Sequence, residues 1–163
     1  MSNSPPEILR RRDFPPPEEL PATSILPLWR RIHQEFMFRS QLYHLPANSC
    51  MVLVHLHLHP EDSEPAAMAA ANYFPRQTVT FILDTLEKKG LAVRKPHPKD
   101  RRRKLVQLTS KGRQLANQMF RDIVNFESEA LKKIEDVDIH RLQSFLTRYA
   151  DALAAQNDRD LKT

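Results

Sequence analysis

Between Arg76 and Lys104 the chain carries ten lysines and arginines against three acids, Asp84, Glu87 and Asp100, a net +7 in a protein whose total is +5. The rest is slightly acidic, so the positive charge is local. A cluster of this kind is the footprint of a polyanionic partner. Residue types differ along it. Arg76, Gln77, Thr78 and Thr80 crowd the start of a helical pattern. From such a position arginine can pair with guanine, glutamine can read adenine, and threonine can bond a base edge or rest its methyl on thymine. Arg76 is the leading base contact; Thr78 serves equally well as a phosphate contact or a cap. The loop RKPHPKDRRRK follows, with Arg94, Lys95, His97, Lys99, Arg101, Arg102 and Arg103 stiffened by Pro96 and Pro98. A thin basic finger suits the minor groove of DNA, whose negative potential draws arginine. Asp100, inside the run, can fix a neighbouring arginine through a charge-assisted pair. We read it as structural to the loop and not as catalytic.

The elements that must position these groups follow from apolar spacing and turn residues. Residues 1–24 hold six of the thirteen prolines and no helical period, which predicts a flexible arm whose Arg10, Arg11 and Arg12 could touch phosphates. A first helix over about 25–44 is capped by Ser24. A second runs from Asn48 or Ser49 to Leu58, although Val54-His55-Leu56-His57-Leu58-His59 also alternates like a strand. Ser63 caps a third helix, Glu64 to Ala71, whose small residues let another helix cross closely. Asn72 to Phe74 make a turn into a fourth helix, Pro75 to Lys89, with Val79, Ile82, Leu83 and Leu86 buried. Gly90 stops that helix. Leu91 to Arg94 and Lys104 to Leu108 form a hairpin, Thr109 caps a long fifth helix, and Asp136 or Asp138 caps a sixth. Residues 156–163 are expected to fray. The fold class is mainly α with a small β-hairpin wing.

Composition narrows the function. Only two glycines occur, both between Ile82 and Gly112, so glycine-rich phosphate loops are absent. No nucleophile-base constellation supports a hydrolase, and the chain reads as no enzyme, with no cofactor. No apolar run reaches membrane-spanning length, and the start lacks the pattern of a secretory signal. One cysteine, Cys50, fits a reducing cytoplasm.

The run LDTLEKKGLAVRKPHPKDRRRKLVQLTSKG resembles the signature of the MarR family of winged helix-turn-helix transcriptional regulators. The matching positions are Lys89-Gly90, Arg94, Pro98-Lys99-Asp100-Arg101-Arg102 and Leu108-Thr109-Ser110-Lys111-Gly112. Phe74-Pro75 departs from the pattern, since a polar cap is more usual there. The resemblance implies a homodimer bound to a pseudo-palindromic double-stranded DNA operator, usually repressing, and released by a small-molecule effector or by cysteine oxidation. It implies a single unit over 25–155, with the winged helix-turn-helix at about 48–109 and dimerisation helices at about 25–44 and 110–155. Asp100 and Arg102 match the family's wing-tip acid and arginine.

The sensor is less legible. Trp29, His33, Phe36 and Phe120 could line an effector pocket between helices, or be ordinary core. His55, His57 and His59 suggest a metal, but on a helix only His55 and His59 share a face, so no metal site is assigned. Cys50 lies near a helix start, where a thiolate is favoured; a quietly buried thiol is the simpler reading. A metal- or redox-responsive regulator, or a winged helix that docks to protein, is the alternative function.

Overall fold

The computed structural model describes residues 24–100 and 103–160. The N-terminal arm through residue 23, Arg101, Arg102 and the last three residues lie outside that range. The element order is α1 (Leu26–Arg39), a 3-10 turn (Ser40–Tyr43), α2 (Ala47–Leu58), α3 (Pro65–Ala71), α4 (Arg76–Lys88), β1 (Ala92–Pro96), β2 (Lys104–Leu108), α5 (Ser110–Leu131) and α6 (Ile139–Asp160). This is the helical chain with one hairpin that the spacing predicts. The chain divides into two compact units within α5, at residues 120 and 121.

In the first unit, α2, α3, α4, the hairpin and the start of α5 share one core. Val52, Leu53, Met68, Val79, Leu83, Leu86, Val106 and Met119 are among its buried side chains. The alternating Val54–His59 stretch is helical through Leu58, because Val52, Leu53 and Leu56 face that core at helical spacing, and His59 is the C-cap. The turn between α3 and α4 uses a left-handed residue, Tyr73, with φ +54°. Phe74 gives its N–H to the Ala69 carbonyl at 3.0 Å and packs against the core. Pro75 thereby occupies the N-cap position of α4 without a side-chain cap. In place of a polar cap, Phe74 anchors the helix start against the core, while Pro75 is exposed.

Ser63 does not cap α3. Glu64 holds the N-cap position, and the Ser63 carbonyl instead accepts the Val106 N–H at 2.7 Å. The loop before α3 is thus tied to the outer edge of the hairpin. β1 and β2 pair antiparallel with Ala92 opposite Leu108 and Arg94 opposite Val106. Gly90, at φ +68°, ends α4. Thr109 starts α5, its hydroxyl accepting the Gly112 N–H at 3.0 Å and donating to the Gly90 carbonyl at 2.8 Å.

In the second unit Asp138 is the cap of α6, accepting from the N–H groups of His140 and Arg141 at 3.1 and 3.2 Å. The helix continues to Asp160, beyond the point where fraying is expected. Side-chain bonds from Gln156 to Asp160 and from Arg159 to Gln156 extend it. None of the described residues of this unit is buried.

Candidate nucleic-acid interface

Helix α4 is amphipathic, with Val79, Ile82, Leu83 and Leu86 buried as expected. Arg76, Gln77 and Thr80 are exposed, and Thr78 is half-buried. The Thr80 hydroxyl donates to the Arg76 carbonyl at 3.1 Å, which leaves its oxygen as an acceptor. The first turn of α4 therefore presents a guanidinium, a carboxamide and a hydroxyl to solvent. Two aromatic residues that the charge pattern does not single out flank this group: Phe81, 70% exposed, and Tyr73, 94% exposed.

Among the described residues, two arginine side chains fix the wing to the helices. Arg94 of β1 lies against α4: its Nη1 donates to Asp84 Oδ1 at 2.7 Å and to Glu87 Oε2, and its Nη2 donates to the Thr80 carbonyl at 3.2 Å. Its backbone N–H gives a further bond to Glu87 Oε1 at 2.7 Å. Read from sequence as a DNA contact, Arg94 is here the strut between wing and helix. The same guanidinium draws both acids of α4 toward the wing and offsets one of their two negative charges, which weakens their opposition to an approaching anion.

The second is Arg103. Its Nε donates to Glu64 Oε2 at 3.0 Å and its Nη2 to Glu64 Oε1, a fork that joins the wing to the start of α3. The Arg103 hydrogen bond is the chief cause holding the Glu64 carboxyl below the usual carboxylate range. Arg103 also closes the wing tip: its N–H donates to the Asp100 carbonyl, and its own carbonyl accepts from His97 N–H. Half-buried Asp100 is thus part of the turn itself. His97 Nδ1 accepts the Lys99 N–H at 3.2 Å. Lys95 and Lys99 are exposed and make up the outward basic charge of the described wing together with Lys104. Arg101 and Arg102 lie outside the described residues.

The residues considered for a sensor fall elsewhere. Trp29 and His33 stack on the exposed side of α1, ring centroids 5.4 Å apart. Phe36 is half-buried and Phe120 is exposed. Cys50 is buried, its thiol 3.8 Å from the Ser40 carbonyl, and burial pushes its pKa up to about 11. Its burial is consistent with the simpler reading. His55 Nε2 bonds Asp62 Oδ2 at 3.1 Å and His59 Nδ1 bonds Glu61 Oε1 at 3.3 Å. Among the described residues no group of three such side chains could hold a metal, and no helix is long and apolar enough to cross a membrane.

Residues 45–103 match the model of the MarR family. The HTH-type transcriptional regulator MhqR of Bacillus subtilis (strain 168) is 32% identical over 71 residues, 44% of this chain and 49% of that protein. The match thus spans about half the length of the curated relative. Among solved structures, the Staphylococcus aureus MepR–DNA complex superposes with a TM-score of 0.68 at 22% identity, covering 80% of this chain and 98% of that one. The MarR family transcription regulator SP03579 gives 0.67 at 23% identity, covering 80% and 87%. At these identities the structural likeness is one of fold.

Proposed function

We propose that this chain, whose residues 45–103 match the model of the MarR family, is a sequence-specific DNA-binding transcriptional regulator that works as a homodimer. The observation that carries the reading is the pairing of an open polar helix start with a basic hairpin held to that same helix by Arg94. Arg76, Gln77 and Thr80 would read base edges in the major groove, and Lys95, Lys99, Arg101 and Arg102 would follow the adjacent backbone or minor groove. Arg94 and Arg103 would keep the two parts at a fixed distance. The MepR neighbour in complex with DNA supports this reading. The second copy is supported by the second unit, where Leu142, Phe145, Leu146, Tyr149 and Leu153 form an exposed apolar row on α6.

The regulator would act most simply as a repressor, relieved by a small molecule that binds near the Trp29–His33 stack. The test is a binding selection from random duplexes with the full chain, at low and moderate salt. Recovery of one palindromic site with half-sites about one helical turn apart is the expected result. Binding that vanishes at moderate salt without any motif would overturn it in favour of a protein-docking wing. Arg102→Ala should weaken the recovered complex while leaving the dimer intact.

A further inference from the structure

Successive residues on an α-helix turn by about 100°, so the line of α4 opposite Val79, Ile82, Leu83 and Leu86 is Gln77, Phe81, Asp84 and Lys88. Asp84 on that line is drawn aside by Arg94. The side chains left at its N-terminal end are Gln77 and Phe81. They lie about 6 Å apart along the axis, less than two base-pair steps. Phe81 is 70% exposed and is neither a core residue nor one of the partly buried side chains packed against the core. Scattered exposed apolar residues need no explanation. This one stands at the centre of the face that polar groups otherwise occupy, beside a wing of concentrated positive charge, and charge complementarity makes that face's occupant a nucleic acid.

We propose that Phe81 is a specificity residue that reads thymine by packing its ring on the C5-methyl group in the major groove. The inference rests on the DNA-binding reading above and names part of the sequence read. A phenyl ring has no hydrogen-bond donor or acceptor, so it gains nothing from the polar edges of guanine, cytosine or adenine. The thymine methyl is the one apolar group the major groove displays. With Gln77 suited to adenine, the pair favours an A·T-containing step in each half-site.

The experiment is a fluorescence-anisotropy titration of the full chain against its selected duplex. Each thymine is replaced in turn by deoxyuracil, which removes only the methyl. The wild-type protein should lose roughly three- to fivefold in affinity at one thymine of each half-site, the worth of one buried methyl. Phe81→Ala should bind the thymine and uracil duplexes equally, while Phe81→Leu, still apolar, keeps part of the difference. A thymine-to-uracil ratio that Phe81→Ala leaves unchanged overturns the proposal, even if overall affinity falls. So does a wild-type protein indifferent to every such replacement. If the wild-type protein selects no duplex at all, the DNA-binding reading fails first and Phe81 with it.

Discussion

Arg94 shows how one side chain can decide whether a basic hairpin is a rigid probe or a loose one. Its guanidinium meets two carboxylates and a carbonyl of α4, and its own N–H meets Glu87. Arginine can do this because its planar fork offers several donors in fixed directions. Replacing it with alanine leaves Asp84 and Glu87 as uncompensated negative charges on the helix proposed to meet DNA. We expect Arg94→Ala to lower stability by about 1–2 kcal/mol in urea denaturation. DNA affinity should fall further than the lost stability explains, because two carboxylates are uncovered. Arg94→Lys restores the charge but not the fork, and should recover only part of either loss. Equal DNA affinity for wild type and Arg94→Ala would refute the strut. Glu64 makes the corresponding bond to Arg103, and its pKa is lowered chiefly by that bond. A lowered carboxyl contributes its stabilisation above the unfolded pKa and loses it as pH falls through the folded one. Wing resonances followed by NMR should therefore hold steady down through the ordinary glutamate pKa, about 4.3, and shift only below it. In Glu64→Gln that acid step should be absent.

At the scale of elements, the two glycines divide two physical duties. Gly90 sits at φ +68° with nothing within 4 Å of a Cβ placed there, so its demand is purely conformational. Gly112 has no such backbone; a Cβ there would lie 1.9 Å from the Leu91 carbonyl oxygen, the same oxygen that accepts the Thr109 N–H. Gly90→Ala should thus cost about 1–2 kcal/mol of strain with the hairpin unshifted. Gly112→Ala should cost about 3 kcal/mol or more, because α5 must move off the hairpin. Thermal melts of the two variants should rank in that order, and the reverse order would contradict the packing of α5 on Leu91. Local patterns made much of this legible in advance. The apolar stripe of α4, the Gly90 stop and the Thr109 cap each follow from neighbours within a few residues. Arg103 and Glu64 are 39 residues apart and left no periodic trace. Ser63 carried the chemistry of a cap, yet its carbonyl was recruited by β2, which no sequence window contains. Gln156, Arg159 and Asp160 prolong α6 through side-chain pairs that polar composition alone reads as fraying. The charge pattern directed attention to the start of α4 but passed over Phe81 and Tyr73, because exposure of an aromatic is a property of packing.

At the scale of the molecule, the second unit poses the energetic question. Its helix α6 runs for 22 residues with none buried, yet Leu142, Phe145, Leu146, Tyr149 and Leu153 recur at the spacing of one helical face. Phe145 and Tyr149 already stack on each other, 6.1 Å between centroids. A face of this kind gains from cover. If a second copy covers it, half-burial of five such side chains on each chain is worth on the order of 10 kcal/mol before the cost of association. That is comparable to the cost of association itself, so the row would be a main contributor to such a dimer, and it is vulnerable at its centre. Leu146→Asp places a carboxylate amid that row, where burial without a partner costs several kcal/mol. The residue is exposed in the single chain, so the helix itself should form normally. Sedimentation velocity at micromolar concentration should then show the wild type as a dimer and Leu146→Asp as a monomer, with unchanged helical circular dichroism. The monomer should keep its winged helix but bind a two-half-site duplex far more weakly, since each half-site would be engaged independently. A Leu146→Asp protein that sediments like the wild type would place the dimer contact elsewhere and leave the α6 row without its proposed partner.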